Sequence, residues 1–170
     1  LNNTYLADQI DQQKNQQERS KMSLVLETER LKMRAFQDRD IEDFAEYRSD
    51  PDVAKYQDWD APYSVEKAAQ FVAENKVIRP GTPGEWHQIA IELKDGGNLI
   101  GDCVFRLLAE DAQQAEIGFT LSRLYQGQGY ATEAVTRLVE YLLGELQLHR
   151  IRAICDVENL ASSKLLERIG

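Results

Sequence analysis

The chain has 170 residues, two cysteines and a formal net charge of −9. This length suits one domain with a sizeable core. The acidic balance argues against a nucleic-acid surface, which needs clustered Lys and Arg. No apolar run approaches the ~20 residues of a membrane-spanning helix, and no signal peptide is visible. Cys103 and Cys155 fall in strand-like segments and read as reduced core cysteines of a cytoplasmic protein. His87 and His149 stand alone, and no Cys/His cluster has zinc spacing. No Gly-x-Ser-x-Gly elbow points to a hydrolase.

Residues 1–21 differ in composition from the rest. Eight of the first seventeen are Asn or Gln, and nothing from Asp11 to Lys21 is apolar. Such a stretch cannot bury enough surface to offset its ordering entropy, so it reads as a polar leader or tag-like segment. Met22 is a plausible native start, and the domain is taken as 22–170.

Leu24 to Phe36 predicts a first strand. Asp40 is placed to cap a helix that buries Ile41, Phe44 and Ala45, and Ser49-Asp-Pro-Asp52 breaks it. An aromatic connection follows, with Tyr56, Trp59 and Tyr63. Ser64 caps a second helix running to about Val77, with Val65, Ala68, Ala69 and Val72 inward. Pro80-Gly-Thr-Pro-Gly84 is a turn cluster. In the strand Trp86 to Leu93, His87, Ile89, Ile91 and Leu93 share a face. The turn Lys94-Asp-Gly-Gly-Asn98 leads into a strand from Leu99 to Leu108. Ala115 to Leu121 is a further strand. Tyr130 to Leu146 is a long amphipathic helix, with Ala131, Ala134, Val135, Leu138, Val139, Leu142, Leu143 and Leu146 on one face. Arg150 to Val157 predicts another strand, and Asn159 caps a last helix burying Leu165, Leu166 and Ile169. The order β-α-α-β-β-β-α-β-α defines an α/β domain with a mixed sheet.

Chemistry concentrates between the Ala115–Leu121 strand and the long helix, at Gln126-Gly-Gln-Gly-Tyr-Ala-Thr132. Glycines there allow a tight turn whose bare N–H groups converge at a helix N-terminus. A phosphate-containing ligand suits such donors. The same two glycines also serve an ordinary turn. The Walker pattern is ruled out because Gly129 is followed by Tyr130 and Ala131 instead of Lys and Ser or Thr. The dinucleotide fingerprint lacks its third glycine and its early position.

Gln126-x-x-Gly129-x-Ala131 after an apolar strand resembles the acetyl-CoA signature of the GNAT superfamily of N-acetyltransferases. Thr28-Glu-Arg-Leu-x-Met-Arg34, Glu116-Ile-Gly-Phe119, Tyr130-Ala-Thr-Glu-Ala134 and Asn159-x-x-Ser162 resemble its RimJ/RimL-like branch, which acetylates ribosomal proteins. The likeness spans about Ser23 to Gly170. It implies a mostly antiparallel central sheet flanked by helices, and acetyl-CoA as co-substrate. Gln126, Gly127, Gln128, Gly129, Tyr130, Ala131 and Thr132 are then expected to hold the cofactor. Backbone groups of Phe119, Thr120 and Leu121 are expected to pair with its pantetheine as a strand would. It also implies two more strands after Gly170. Their absence from the sequence leaves an expected open sheet edge, able to recruit a second copy of the chain.

Acetyl transfer to an amine needs a neutral nucleophile, a polarised carbonyl and a protonated leaving thiolate. An alkylammonium of pKa ~10.4 is almost wholly protonated at neutral pH, so a base must act. Glu116, at the start of the strand leading to the loop, is the best-placed carboxylate, and the resemblance often carries a glutamate there. Many GNAT enzymes protonate the thiolate with a tyrosine seven residues after the asparagine; here that position is Leu166. The branch instead implies Ser162 as the donor, with Asn159 reaching pantetheine or the acyl centre. Local readings compete, Ser162 satisfying nearby backbone and Asn159 acting only as an N-cap. Lys164 and Arg168 could meet nucleotide phosphates or form a solvated helix face. The resemblance makes the aromatic connection part of an acceptor wall, the acceptor being a protein N-terminus or a small amine such as a polyamine. Two rivals stand beside this enzyme: a non-catalytic acyl-CoA-binding module, and an interaction domain whose glycine loop is only a turn.

Overall fold

A computed structural model describes residues 24–76 and 82–170. The polar segment 1–21, the start at Met22, the helix end at Val77 and the Pro80–Gly81 part of the turn cluster lie outside the described residues.

Six strands form one sheet in sequence order. They are β1 (Leu26–Glu27), β2 (Leu31–Arg34), β3 (His87–Leu93), β4 (Leu99–Leu107), β5 (Gln114–Leu121) and β6 (Arg150–Ala153). Neighbours are antiparallel up to β5, and β5 pairs with β6 in parallel. The single strand expected at Leu24–Phe36 is therefore a hairpin. Thr28 turns it: its hydroxyl accepts the Leu31 N–H at 2.9 Å and its own N–H donates to the Leu31 carbonyl at 3.0 Å. Apolar residues sit at even positions before this turn and at odd positions after it. One uninterrupted strand cannot face both sets inward; the hairpin does, with Leu26 opposite Met33.

On one face of the sheet lie α1 (Ile41–Arg48), the short α2 (Pro51–Ala54) and α3 (Val65–Asn75). Phe36, Phe44, Val72, Ala90 and Leu99 form the core there. On the other face lie α4 (Tyr130–Glu140) and α5 (Leu160–Ile169). Leu138, Leu142 and Leu165 pack there against Met33, Ile89 and Phe105.

Asp40 precedes α1 but its side chain does not cap it. Its carboxylate accepts the Gln37 N–H at 2.7 Å and both Arg34 terminal nitrogens, at 2.7 and 2.9 Å. Arg34 also binds Glu92, so this buried network ties β2 and β3 to the start of α1. Ser64 caps α3 as expected, accepting the Lys67 N–H at 3.2 Å, but Val65 in the first turn is exposed. The long helix is regular only to Glu140. A π turn follows at Tyr141–Glu145, with the Leu146 N–H donating to the Tyr141 carbonyl at 3.0 Å. The wider turn rotates Leu143 to solvent and brings Leu148 inward. β6 stops at Ala153, not Val157; Ile154 and Val157 are exposed and meet no strand. Leu166 is half-buried, while Leu165 fills the core.

His87 packs edge-on against Phe105, 5.4 Å between centroids, and its Nδ1 is buried with no hydrogen-bond partner. Burial pushes its pKa from 6.5 down to about 4. The unfolded chain therefore binds a proton between those values that the folded chain refuses. Stability contributed by neutral His87 is complete above pH 6.5 and is lost as pH falls toward 4, by roughly 3 kcal/mol. Urea unfolding at pH 7 and pH 4.5 checks this. The acid-side loss should shrink clearly in His87→Phe, and an unchanged loss would contradict the assignment.

Candidate functional site

Two strand pairings of opposite character build the site. β4 and β5 stay paired over seven residues, from Leu107–Ala115 to Gly101–Leu121. Only glycine permits the last of these: a Cβ at Gly101 would lie 2.3 Å from the Thr120 carbonyl oxygen. β5 and β6 pair only from Gln114–Arg150 to Ile117–Ala153. Beyond Ile117 the two strands part, and the Phe119–Leu121 edge of β5 faces a cleft of about 530 Å³ instead of a strand.

Phe119, Thr120 and Leu121 line this cleft on one side. At its far end the loop turns through Gly127 (φ +74°) and Gly129 (φ +83°) into α4. Left-handed backbone of this kind favours glycine. A Cβ at Gly127 would meet nothing within 4 Å, so the loop backbone faces open space. Gln126, Gly127, Gly129, Tyr130, Ala131 and Thr132 all contribute to the lining. Gln126 also braces the turn, donating from Nε2 to the Leu121 carbonyl at 3.0 Å. Gln128 departs from expectation. It is not part of the lining; its side chain donates back to the Leu124 carbonyl and its own carbonyl accepts from Arg30.

The opposite wall is the start of α5. Asn159 and Ser162 both line the cleft. Asn159 Oδ1 accepts the Ser162 N–H at 3.1 Å, so the cap is real. Its carboxamide nitrogen and the Ser162 hydroxyl make no hydrogen bond among the described residues, which leaves both for a ligand. Lys164 and Arg168, one turn and two turns further on, also line the cleft. Arg168 donates to the Thr132 hydroxyl at 3.3 Å, beside the N-terminus of α4. A cation beside a helix N-terminus, with a second in the same cleft lining, suits phosphate charge.

Residues 52–57 close the third side, and only Tyr56 among them was singled out from the sequence. Asp52, Val53 and Gln57 join it in the lining. Tyr56 spans the cleft, its hydroxyl donating to the Glu158 carbonyl at 3.3 Å. Arg123 ties this wall to β5 through Asp50 at 2.7 Å. Val53, Tyr56 and Gln57 lie on the Val53–Tyr63 connection that the resemblance makes part of an acceptor wall, though no periodicity singles out Asp52, Val53 or Gln57. Trp59 and Tyr63 instead pack with the second core and enclose Arg48, whose guanidinium lies 3.8 Å from the Trp59 ring centroid.

Glu116 faces two arginines. It does not line the cleft. Its Oε2 accepts from Arg152 Nε at 3.0 Å, Arg152 Nη2 at 2.8 Å and Arg106 Nη2 at 3.2 Å. Burial works to raise its pKa, but the two arginines outweigh burial and hold it below the usual range. A carboxylate clamped in this way is a poor proton acceptor. It joins β4, β5 and β6 one rung before the fork. Asp102, one rung from the open end of β5, is a buried acid of the opposite kind. Burial raises its pKa against the pull of Arg48 and of Tyr47, which donates to it. Burial also raises the Cys103 thiol, making it inert. Among the described residues no His/Cys/Asp/Glu group is arranged for a metal ion. No described helix is long and apolar enough to cross a membrane.

The fold has counterparts. The Acetyltransferase (GNAT) domain family matches residues 30–170, and the chain belongs to that family. The uncharacterized N-acetyltransferase p20 of Bacillus licheniformis is 33% identical over 146 residues, covering 86% of this chain and 81% of that protein. A crystal structure of a GNAT-family acetyltransferase from Bacillus anthracis superposes with a TM-score of 0.75 at 33% identity, covering 86% of this chain and 82% of that one. RimJ of Mycobacterium smegmatis, solved with a CoA-disulfide, shares the fold with a TM-score of 0.71 at 21% identity, over 87% of this chain and 74% of its own.

If Glu116 clamps strands and takes no substrate proton, Glu116→Gln lowers turnover by less than about tenfold and leaves the shape of the pH–rate profile intact. Steady-state kinetics across pH decides this. A loss of about 10²-fold or more with unchanged acetyl-CoA affinity would return the base role to Glu116.

Proposed function

We propose that the protein transfers an acetyl group from acetyl-CoA to a primary amine by direct attack on the thioester. The observation that carries this reading is the fork between β5 and β6. It has a left-handed glycine turn and a helix N-terminus at one end and the free Ser162 hydroxyl on the facing wall. Pantetheine pairs along the open Phe119–Leu121 edge, the pyrophosphate meets the N–H groups of residues 126–132, and Lys164 and Arg168 neutralise phosphate charge. The CoA-containing RimJ neighbour supports this placement by its shared fold. The reaction class suits a protein with reduced cysteines in the cytoplasm.

The amine attacks the carbonyl carbon and the C–S bond breaks. Ser162 donates its proton toward the departing sulfur and regains one, through water, from the attacking nitrogen, and Asn159 holds the acyl end through its carboxamide nitrogen. Asp52 is the lone carboxylate of the cleft lining among the described residues, and it is exposed beside Arg123. The acceptor's proton therefore leaves through water. Below the amine's own pKa, kcat/KM should rise about tenfold per pH unit, tracking the neutral fraction. The acceptor is a protein N-terminus or a small amine, since walls such as residues 52–57 vary freely on one fold.

A second reading, an acyl-CoA-binding module without turnover, is favoured by Leu166 in place of a tyrosine and by the missing cleft base. Thiol release from acetyl-CoA, measured against a panel of N-terminal peptides and polyamines, separates the two. The enzyme reading expects release with at least one amine and a loss of about 10²-fold in kcat for Ser162→Ala at unchanged acetyl-CoA affinity. Tight CoA binding with no turnover on any amine would establish the module.

A further inference from the structure

We propose that Arg30 and Glu133 form a latch that holds the glycine loop in its cofactor-binding shape, both acting as positioning residues; this rests on the reading of that loop as the pyrophosphate site. The two belong to separate motifs, Thr28-Glu-Arg-Leu31 in the β1–β2 turn and Tyr130-Ala-Thr-Glu133 in the first turn of α4, 103 positions apart. The fold brings them together. One Glu133 oxygen accepts the Arg30 backbone N–H at 3.0 Å and the Thr28 hydroxyl. The other takes both Arg30 Nε at 2.6 Å and Nη2 at 2.6 Å, two charged donors converging on one oxygen.

What makes this more than a surface ion pair is where the rest of Arg30 goes. Its Nη1 donates to the Gln128 carbonyl at 3.1 Å. Its guanidinium lies over the Tyr130 ring, 4.2 Å from the centroid. Its Nη2 sits 3.4 Å from where a Gly129 Cβ would be. One side chain thus touches three consecutive residues of the loop on the side away from the cleft. Gly127 and Gly129 leave this loop more backbone freedom than other residues would, and freedom removed before binding does not have to be removed during it. Charge adds a second reason. Glu133 lies in the helix turn that faces the proposed phosphates, and Arg30 neutralises it there; a bare carboxylate would repel them.

The latch therefore acts on cofactor affinity and not on the chemistry at Ser162. Arg30→Gln, Glu133→Gln and Thr28→Val are to be assayed with two donors, acetyl-CoA and acetyl-pantetheine, the second lacking the pyrophosphate. Arg30→Gln and Glu133→Gln should raise KM for acetyl-CoA about tenfold or more, with kcat within about twofold and acetyl-pantetheine kinetics unchanged. Thr28→Val, which removes one hydroxyl, should show the same contrast at about threefold. The double variant should be no worse than Arg30→Gln alone, and Arg30→Lys should recover part of the loss. Equal losses with both donors, or a fall in kcat at constant KM, would overturn the latch. A wild-type chain that uses both donors equally well would overturn the pyrophosphate reading of the loop, and the latch with it.

Discussion

The site exists because β5 is held tightly on one edge and released on the other. Gly101 lets β4 follow β5 to its end, since any side chain there would collide with the Thr120 carbonyl. β6 leaves after four paired positions. Peptide groups released from a sheet in a protein interior need other partners. Here they face a cleft, and an extended ligand can occupy the place of the missing strand. The Arg106–Glu116–Arg152 cluster sits beside the point of release. It makes the parting abrupt, because a carboxylate shared by two arginines fixes β4, β5 and β6 together just before they diverge.

Charge is distributed to match. The chain is strongly acidic overall, yet Lys164 and Arg168 line the cleft, Arg168 beside the N-terminus of α4. Among the described residues the one carboxylate in the lining is Asp52, tied loosely to Arg123 at 3.4 Å. The buried titratable groups nearby are tuned away from reactivity: Tyr47 and Cys103 are both raised by burial. The cleft thus suits the anionic, extended cofactor of the proposed function.

Much of this was legible before any coordinates. Apolar alternation marked β3, β4 and β5, and the α4 stripe and the Asn159 cap were visible because local periodicity and local hydrogen bonding decide them. The glycine loop was readable since Gly127 and Gly129 do need left-handed backbone. What failed was non-local. The split of the first strand hung on a parity change that a hydropathy reading passes over. The π turn at Tyr141–Glu145 has no residue signature in the chain. The partners of Glu116, Arg106 and Arg152, come from other strands and meet it only through register. Gln128 sat inside the motif, yet an alternating loop backbone turns it outward. The wall at Asp52–Gln57 lies on a connection that only the resemblance pointed to, because its sequence has no repeating pattern.

The central claim is that the backbone of the glycine loop receives the cofactor's pyrophosphate. Gly127 offers the most direct test, because a side chain there would enter open space and Asn and Asp tolerate left-handed backbone best. Calorimetric titration of acetyl-CoA into Gly127→Asn and Gly127→Asp compares two side chains of nearly equal size that differ in charge. The account expects Gly127→Asn to stay within about fivefold of the wild-type affinity and Gly127→Asp to lose about 50-fold or more, since an anion placed among the loop N–H groups repels a second one. Equal affinities for the two variants would show that no phosphate sits at this loop and would contradict the account.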